Sequence, residues 1–205
     1  MSDDKLRWIF DTRDDEQLAA RYDAWASDYD ADHEQWGWVG PARATQRLRA
    51  LLDPVIVLDA GCGTGGVGRV LRDDGWSGQL TGVDLSEGML ARARAGGWYD
   101  ELIHGSLTAL PFDDASMDAY VATGVYTHGH VGPEGFPEAI RVVRPGGLIV
   151  VTLREEVWAA VEPDASRLEA AGRWVLVERT DPASFHPGKG EGDDKPQSVA
   201  VWRRT

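Results

Sequence analysis

An apolar run that ends in a carboxylate and opens into glycines is the first place in this sequence that indicates chemistry. Residues 57–68 read VLDAGCGTGGVG, with Asp59 closing the apolar run. Glycine allows a sharp turn and lets backbone N–H groups approach a ligand closely. Gly63, Gly65 and Gly68 spell G-x-G-x-x-G, a spacing typical of nucleotide-binding loops between a strand and a helix. The stretch predicts a loop that holds a ligand against its backbone.

A second carboxylate lies about 20 residues further along the chain, the spacing expected of a ribose-binding acid in such folds. Asp84 ends the next apolar run, where a carboxylate can accept hydrogen bonds from both ribose hydroxyls. NAD(P) and S-adenosylmethionine both contain a ribose. Asp59 favours the second, because it would repel a pyrophosphate and attract an ammonium or sulfonium. No lysine stands between Lys5 and Lys189, so a Tyr-x-x-x-Lys dehydrogenase site is absent.

Alternating strands and helices are predicted to position these residues. From residue 55 onward, short apolar runs alternate with helical segments, the pattern of parallel βαβ units. Strands are predicted at 55–60, 80–84, 102–105, 117–123 and 148–153, and helices at 67–73, 87–95, 136–143 and 165–171. The RPGG run at 144–147 is predicted to be a turn.

The two ends of the chain differ from this alternation. Strand-like runs at 174–180 and 198–204 have no helix between them, so they are predicted to pair antiparallel across the 181–197 loop. Helices are predicted at 15–27 and 43–52, with a loop at 29–41 between them. We expect one domain over residues 1–205, with residues 1–52 as a helical cap within it.

Composition limits the classes of partner. The formal net charge of −13 disfavours nucleic acid, and no apolar run is long enough to span a membrane. Cys62 is the only cysteine, and no tight cluster of ligands predicts a metal site. The N-terminus has no apolar secretory segment, so a cytoplasmic protein is expected. The acidic surface fits either a high-salt cytoplasm or codon bias, and composition leaves the oligomeric state open.

Four stretches together resemble class I S-adenosylmethionine-dependent methyltransferases: VLDAGCGTG, GVDLSEGML, ALPFDDASMDAYV and VVRPGGLIVVTLREEVW. The resemblance covers most of the chain. YDAWASDYDAD and THGHV are further similar to the methyltransferase-like proteins named for the Williams–Beuren chromosomal region. The family implies a Rossmann-like, mostly parallel α/β sheet of seven strands, order 3-2-1-4-5-7-6, with strand 7 antiparallel and helices on both faces. The sequence of the tail independently favours such a reversed strand.

The resemblance also implies which residues bind S-adenosylmethionine. Asp59, Gly61, Gly63 and Gly65 would form the methionine side and Asp84 would hold the ribose. Packing near the adenine is implied for Leu85 and Met89, and lining of the methionine or transferred methyl for Thr123. Ser106 stands where many relatives carry an acid, so it can accept from the adenine amine only weakly, although the Leu107 N–H could still reach the ring.

Aromatic residues near the N-terminus share one face of a predicted helix. Tyr22, Trp25 and Tyr29 are spaced i, i+3 and i+7. They indicate either plain packing or a lid over the cofactor; the resemblance favours a lid, with Tyr22 and Tyr29 as cofactor contacts. Trp36 and Trp38 are either core anchors or walls of an acceptor pocket.

Two histidines follow the fourth predicted strand, at the carboxyl edge where open α/β sheets bind ligands. His128 and His130 are candidate catalytic residues, as a general base or a donor that orients the acceptor, against the alternative of ordinary loop histidines. No role is predicted for His33, His104 or His186.

These features predict in-line methyl transfer from S-adenosylmethionine to a small-molecule acceptor, with S-adenosylhomocysteine as the second product. The acceptor is expected to enter between segments 32–40, 125–132 and 181–197. Two alternatives stay open: an NAD(P)-dependent oxidoreductase, and a non-catalytic module that binds S-adenosylmethionine.

Overall fold

A seven-stranded sheet organises the part of the chain that the computed structural model describes, residues 14–127, 129–189 and 195–205. Its order is β3-β2-β1-β4-β5-β7-β6, with β7 antiparallel to both of its neighbours. The predicted fold class and strand order are confirmed. The strands are β1 (Ile56–Ala60), β2 (Gln79–Asp84), β3 (Glu101–His104), β4 (Met117–Ala122), β5 (Val143–Arg154), β6 (Trp174–Arg179) and β7 (Gln197–Arg204).

Helices connect the strands and cover both faces of the sheet. Along the described ranges they are α1 (Asp15–Trp36), α2 (Gly40–Leu51), α3 (Gly66–Asp73), α4 (Glu87–Gly96), α5 (Phe136–Val142) and α6 (Glu155–Ala170), with a 3-10 turn at Pro133–Gly135 before α5. Neighbouring strand residues point to opposite faces. Val57 therefore packs in a core with α2 and α3, and Leu58 packs in a second core with α5 and α6. Burial on both faces explains why the parallel strands read as continuous apolar runs.

The N-terminal prediction is wrong in one respect. The loop predicted at 29–41 is helical as far as Trp36, so α1 has 22 residues rather than 13. The aromatic face that begins at Tyr22 continues through His33 and Trp36, and this continued packing stabilises the extra turns. Gly37 ends the helix with φ +65°, the left-handed conformation that a C-terminal cap requires.

Two further elements have boundaries that differ from the predicted ones. Helix α6 begins at Glu155, ten residues before the prediction, and it contains Pro163. The RPGG segment lies inside β5 rather than before it, as an irregularity in pairing: Met117 pairs with Val143, and the next pair joins Ala119 to Leu148. The turn is therefore accommodated as a bulge in the strand.

Candidate functional site

Asp84, at the end of β2, organises the glycine loop. One carboxylate oxygen accepts a hydrogen bond from the Gly63 N–H at 2.8 Å, and the other accepts from the Ser86 N–H at 2.9 Å. Burial raises the pKa of Asp84, while the bonds from Ser86, Gly63 and Leu85 oppose that rise. A carboxylate offers about four lone-pair sites, so acceptor capacity remains for a ligand. Sequence reasoning found Asp84 but missed its bond to the loop.

Asp59, at the end of β1, lies beneath the same loop and is 1% exposed. The Tyr99 hydroxyl donates to its Oδ2 at 2.6 Å, while Oδ1 has no hydrogen-bond partner among the described residues. The pKa of Asp59 is raised to about 7, chiefly by burial; the Tyr99 bond opposes this rise and the charge of Asp84 adds to it. A buried carboxylate oxygen without a donor fits a ligand that brings a positive charge. The acceptor oxygen of Asp59 therefore fits the ammonium of S-adenosylmethionine as a donor.

The glycines of the loop have two different surroundings, open space on one side and aromatic rings on the other. Gly63 has φ +54°, and a Cβ there would meet nothing within 4 Å, so its backbone faces open space. A Cβ on Gly65 would lie 2.9 Å from Trp98, and one on Gly68 would lie 2.7 Å from Tyr99. The first half of the motif therefore faces a cleft, while the second half makes room for two aromatic rings.

The glycine-loop cleft lies above β1, β2 and β4 at their carboxyl ends, under α1. Its lining includes nine of the residues predicted to bind the cofactor, and Leu18, Ala19, Ser86, Gly124, Val125, His130 and Val131 complete it. The nine are Tyr22, Tyr29, Gly61, Gly63, Asp84, Leu85, Met89, Leu107 and Thr123. The structure thus brings together residues that lie far apart in sequence.

Three predicted cofactor residues do not line this cleft. Asp59 lies beneath the loop, and Gly65 faces Trp98. The Ser106 hydroxyl lies 3.0 Å from the Thr108 hydroxyl and 3.4 Å from an Asp15 carboxylate oxygen. These polar contacts hold the Ser106 side chain outside the cleft lining.

Two acidic residues of helix α1 form hydrogen bonds that hold the helix over the glycine-loop cleft. Asp23 Oδ1 accepts from the Ser86 hydroxyl at 2.6 Å and from the Gly88 N–H at 2.8 Å, at the start of α4. One Asp30 oxygen accepts from the Thr64 hydroxyl at 2.5 Å, and the other accepts from Arg92 at 3.2 Å. Sequence reasoning missed both acids; their spacing of seven, which places them on one helical face, was the available signal.

The aromatic face of α1 points toward the sheet. The Tyr22 hydroxyl is hydrogen-bonded to His130 Nε2 at 2.7 Å, and Tyr29 stacks on His33 with ring centroids 4.0 Å apart. Burial raises the pKa of Tyr22 well above 10, so its hydroxyl keeps its proton at neutral pH. His130 is thus held at the cleft by α1, whereas His128 lies outside the described residues.

A second opening, the aromatic cleft, lies on the other side of Tyr22 and Tyr29. The three segments expected to admit the acceptor all contribute to it: 32–40, 125–132 and 181–197. Trp36 and Trp38 both line it, and Trp38 stacks on His186 with ring centroids 4.5 Å apart. His33 and His186, for which no role is predicted, also line this cleft. The complete lining is Tyr22, Trp25, Tyr29, His33, Trp36, Trp38, Gly124, Tyr126, Thr127, Thr152, Arg154, His186, Lys189 and Gln197.

The two clefts share one boundary, formed by Tyr22, Tyr29 and Gly124. A third, wider opening reaches solvent beside the glycine loop and shares Tyr29, Gly61, Gly63 and Thr123 with the glycine-loop cleft. Tyr29 lines all three. The arrangement can place two ligands end to end, with their meeting point enclosed by the two tyrosines.

The sequence is similar to known proteins over most of its length. A family model described as "Methyltransferase domain" matches residues 58–151. Methyltransferase-like protein 27 of Homo sapiens is 38% identical over 164 residues, covering 75% of this chain and 66% of that protein. Malonyl-[acyl-carrier protein] O-methyltransferase of Enterobacter lignolyticus is 32% identical over 121 residues, covering 54% of this chain and 47% of that protein. The chain thus spans about half to two thirds of the length of these curated relatives.

The fold is shared with solved structures. One is the complex between the Haloferax volcanii Trm112 methyltransferase activator and its methyltransferase, with a TM-score of 0.67 and 24% identity over 89% of this chain and 97% of that one. At this identity the likeness concerns the fold alone.

None of the helices in the described ranges is both long and apolar enough to cross a membrane.

Proposed function

Because the chain belongs to the class I S-adenosylmethionine-dependent methyltransferases, we propose that it transfers a methyl group from S-adenosylmethionine to a small-molecule acceptor. The family and fold imply this cofactor. One observation carries the proposal: the glycine-loop cleft, which contains Asp84 and the open face of Gly63, meets the aromatic cleft at Tyr22, Tyr29 and Gly124.

The lining of the glycine-loop cleft supports a direction for the cofactor. Asp84 would bind the ribose hydroxyls through its remaining lone pairs, while Leu85, Met89 and Leu107 provide an apolar slot for the adenine. Gly61, Gly63 and Thr123 would then border the methionine end. Asp59, buried below, would attract the ammonium across the loop.

The reaction needs alignment more than it needs a strong base. When bound, S-adenosylmethionine would supply a methyl group activated by the sulfonium charge, and its transfer to a lone pair of the acceptor would leave the electrons of the broken carbon–sulfur bond on sulfur. Tyr22 and Tyr29 would exclude water at this point and confine both reactants to one line. His130, held by Tyr22, would take a proton from an acceptor that carries one, and His128 remains a second candidate.

The acceptor class rests on the aromatic cleft and on a relative. A demethylmenaquinone methyltransferase that is also similar to this chain acts, by its name, on a small molecule. In this chain the aromatic cleft is bounded by residues from four separate segments, which suits a small molecule enclosed on several sides. The formal charge of −13 disfavours a nucleic acid acceptor. We also propose a cytoplasmic location.

Calorimetry followed by turnover tests the proposal. S-adenosylmethionine and S-adenosylhomocysteine should bind, and NAD(H) should not. Release of S-adenosylhomocysteine should then be measured against a panel of small metabolites. Binding of NAD(H) alone would support an oxidoreductase instead. Tight binding of both sulfur compounds, with no turnover of any panel member, would support a non-catalytic binding module.

A further inference from the structure

Positive charge is concentrated in the aromatic cleft of an otherwise acidic chain. The formal net charge is −13, yet the described residues that line this cleft include Arg154 and Lys189 and no aspartate or glutamate. Chance placement on such a chain favours carboxylates, because it has 34 acidic and 21 basic residues. The charged side chains among the described lining residues are therefore cationic, in contrast to the net charge of the whole protein.

Lys189 belongs to the aromatic wall. Its ammonium nitrogen lies 4.3 Å from the centroid of the Trp36 ring, a cation–π distance. The lysine is also close to His33, whose pKa falls to about 4 chiefly through burial, with the charge of Lys189 lowering it further. His33 is therefore neutral at pH 7, and the charge on this wall comes from the lysine.

Arg154 faces the cleft from the sheet. It ends β5, where it pairs with Gln197 of β7, another lining residue. Its guanidinium also contacts Glu156 at 3.9 Å, at the outer limit for an ion pair, and Glu156 is half exposed. A guanidinium presents a planar fork of donors that matches a carboxylate in two parallel hydrogen bonds.

We propose, on the basis of the proposed function, that the methyl acceptor is a small aromatic carboxylate. Its acid group would be bound by Arg154 and Lys189, and its ring would lie against Trp36 and Trp38. Arg154 and Lys189 line only the aromatic cleft, whereas Tyr22, Tyr29 and Gly124 also border the cofactor. The acid group is thus an anchor, and a different atom of the acceptor meets the methyl.

The test compares acids with their neutral amides. Indole-3-acetate and indole-3-acetamide share one ring and one length, as do phenylacetate and phenylacetamide. Each is titrated into the protein saturated with S-adenosylhomocysteine, with Trp fluorescence and calorimetry as readouts. Because the amides lack the charge-assisted hydrogen bond, the acids should bind about 10- to 100-fold more tightly than the amides.

Two substitutions test whether Arg154 and Lys189 cause the preference for the acid over the amide. Arg154→Gln and Lys189→Gln should each bring the acid close to the affinity of its amide. Their affinity for S-adenosylhomocysteine should stay unchanged, which also shows that the variants fold. Arg167→Gln is the matched control, because Arg167 is 75% exposed on α6 and pairs with Asp164 outside the cleft.

The outcomes separate this inference from the function it depends on. Equal affinities for acid and amide, or no saturable binding of either acid to protein that does bind S-adenosylhomocysteine, overturns the carboxylate site and leaves the methyltransferase proposal intact. Failure to bind S-adenosylhomocysteine overturns the methyltransferase proposal. In that case the acids are titrated into the protein alone, and a preference lost in Arg154→Gln supports the anion site while its absence overturns that site too.

Discussion

The glycine-loop cleft and the aromatic cleft meet at two tyrosines but are built differently. The polar groups of the first lie close in sequence: the backbone of Gly61 and Gly63 in one loop, and the Asp84 carboxylate at the end of the next strand, with more distant segments completing the lining. The second depends on side chains from segments up to 175 residues apart, between Tyr22 and Gln197. A shared cofactor can be held by a local motif, whereas an individual acceptor requires side chains gathered from the whole chain.

The largest expected difference between the two clefts comes from Gly63→Val. The new side chain would occupy the space that faces the glycine-loop cleft, at a φ of +54° that β-branched residues tolerate badly. We expect S-adenosylmethionine binding to fall below detection by calorimetry, while indole-3-acetate still quenches Trp fluorescence in the aromatic cleft. Gly75→Val is the control, since Gly75 has φ +77°, equally open surroundings and a position after α3. Equal loss of binding in both variants would assign the effect to backbone strain.

Asp84→Ala should have the next largest effect. It removes the ribose acceptor together with the bonds to the Gly63 and Ser86 N–H groups. With hydrogen bonds to a charged group worth about 1.5–3 kcal/mol, we expect a loss of roughly 30- to 1,000-fold in S-adenosylmethionine affinity by calorimetry. The melting temperature should also fall by a few degrees. Asp53→Ala, at a side chain that is 89% exposed, should change neither; an unchanged dissociation constant in Asp84→Ala would remove Asp84 from the site.

A smaller effect should follow pH. The pKa of Asp59 is raised to about 7 in the folded protein, so the carboxyl is mostly protonated at pH 6 and ionised at pH 8. Only the ionised form attracts an ammonium, so S-adenosylmethionine affinity should rise about tenfold across this range. Without ligand, the same group lowers stability as pH rises from its unfolded value of 3.8 to about 7, because the folded state holds the proton more tightly.

Asp59→Asn isolates that carboxyl. The variant should flatten much of the affinity profile and of the stability profile, with calorimetry and thermal melts at pH 6, 7 and 8 as the measurements. The raised pKa of Asp84 leaves a residual slope. An affinity profile in Asp59→Asn that matches the wild type would place the cofactor's charge away from Asp59.

The smallest expected effect concerns α1, which borders both clefts. We predict that residues 22–40 exchange amide hydrogens more slowly when S-adenosylmethionine binds, because Tyr22 and Tyr29 gain a ligand to pack against. The central strands β1 and β4 serve as the internal reference. Equal exchange with and without the cofactor would make α1 a fixed wall of the core and end the lid hypothesis.

The sequence predicts the local cleft far better than the distributed one. The glycine loop and Asp84 follow from patterns confined to one or two neighbouring elements, whereas the strand order was implied by the family resemblance. Tyr99 could not be found, because its role depends on the space above Gly65, Gly68 and Gly82. The position of Arg154 and His186 in the aromatic cleft could likewise not be predicted, because only tertiary packing brings them beside α1. The length of α1 was misjudged because its polar composition concealed a continuous aromatic face.

The Asp23 contacts also constrain how the chain is assembled. Asp23 lies 63 and 65 residues before its partners, Ser86 and Gly88, so these two contacts of α1 cannot form until the start of α4 has been made. Synthesis of that length takes about 3–13 s at 5–20 residues per second. During this interval the Tyr22 hydroxyl also lacks its partner His130, and the aromatic face of α1 lacks the sheet toward which it points. Chaperone capture of the nascent N-terminal segment is therefore expected before α4 emerges, and release afterwards.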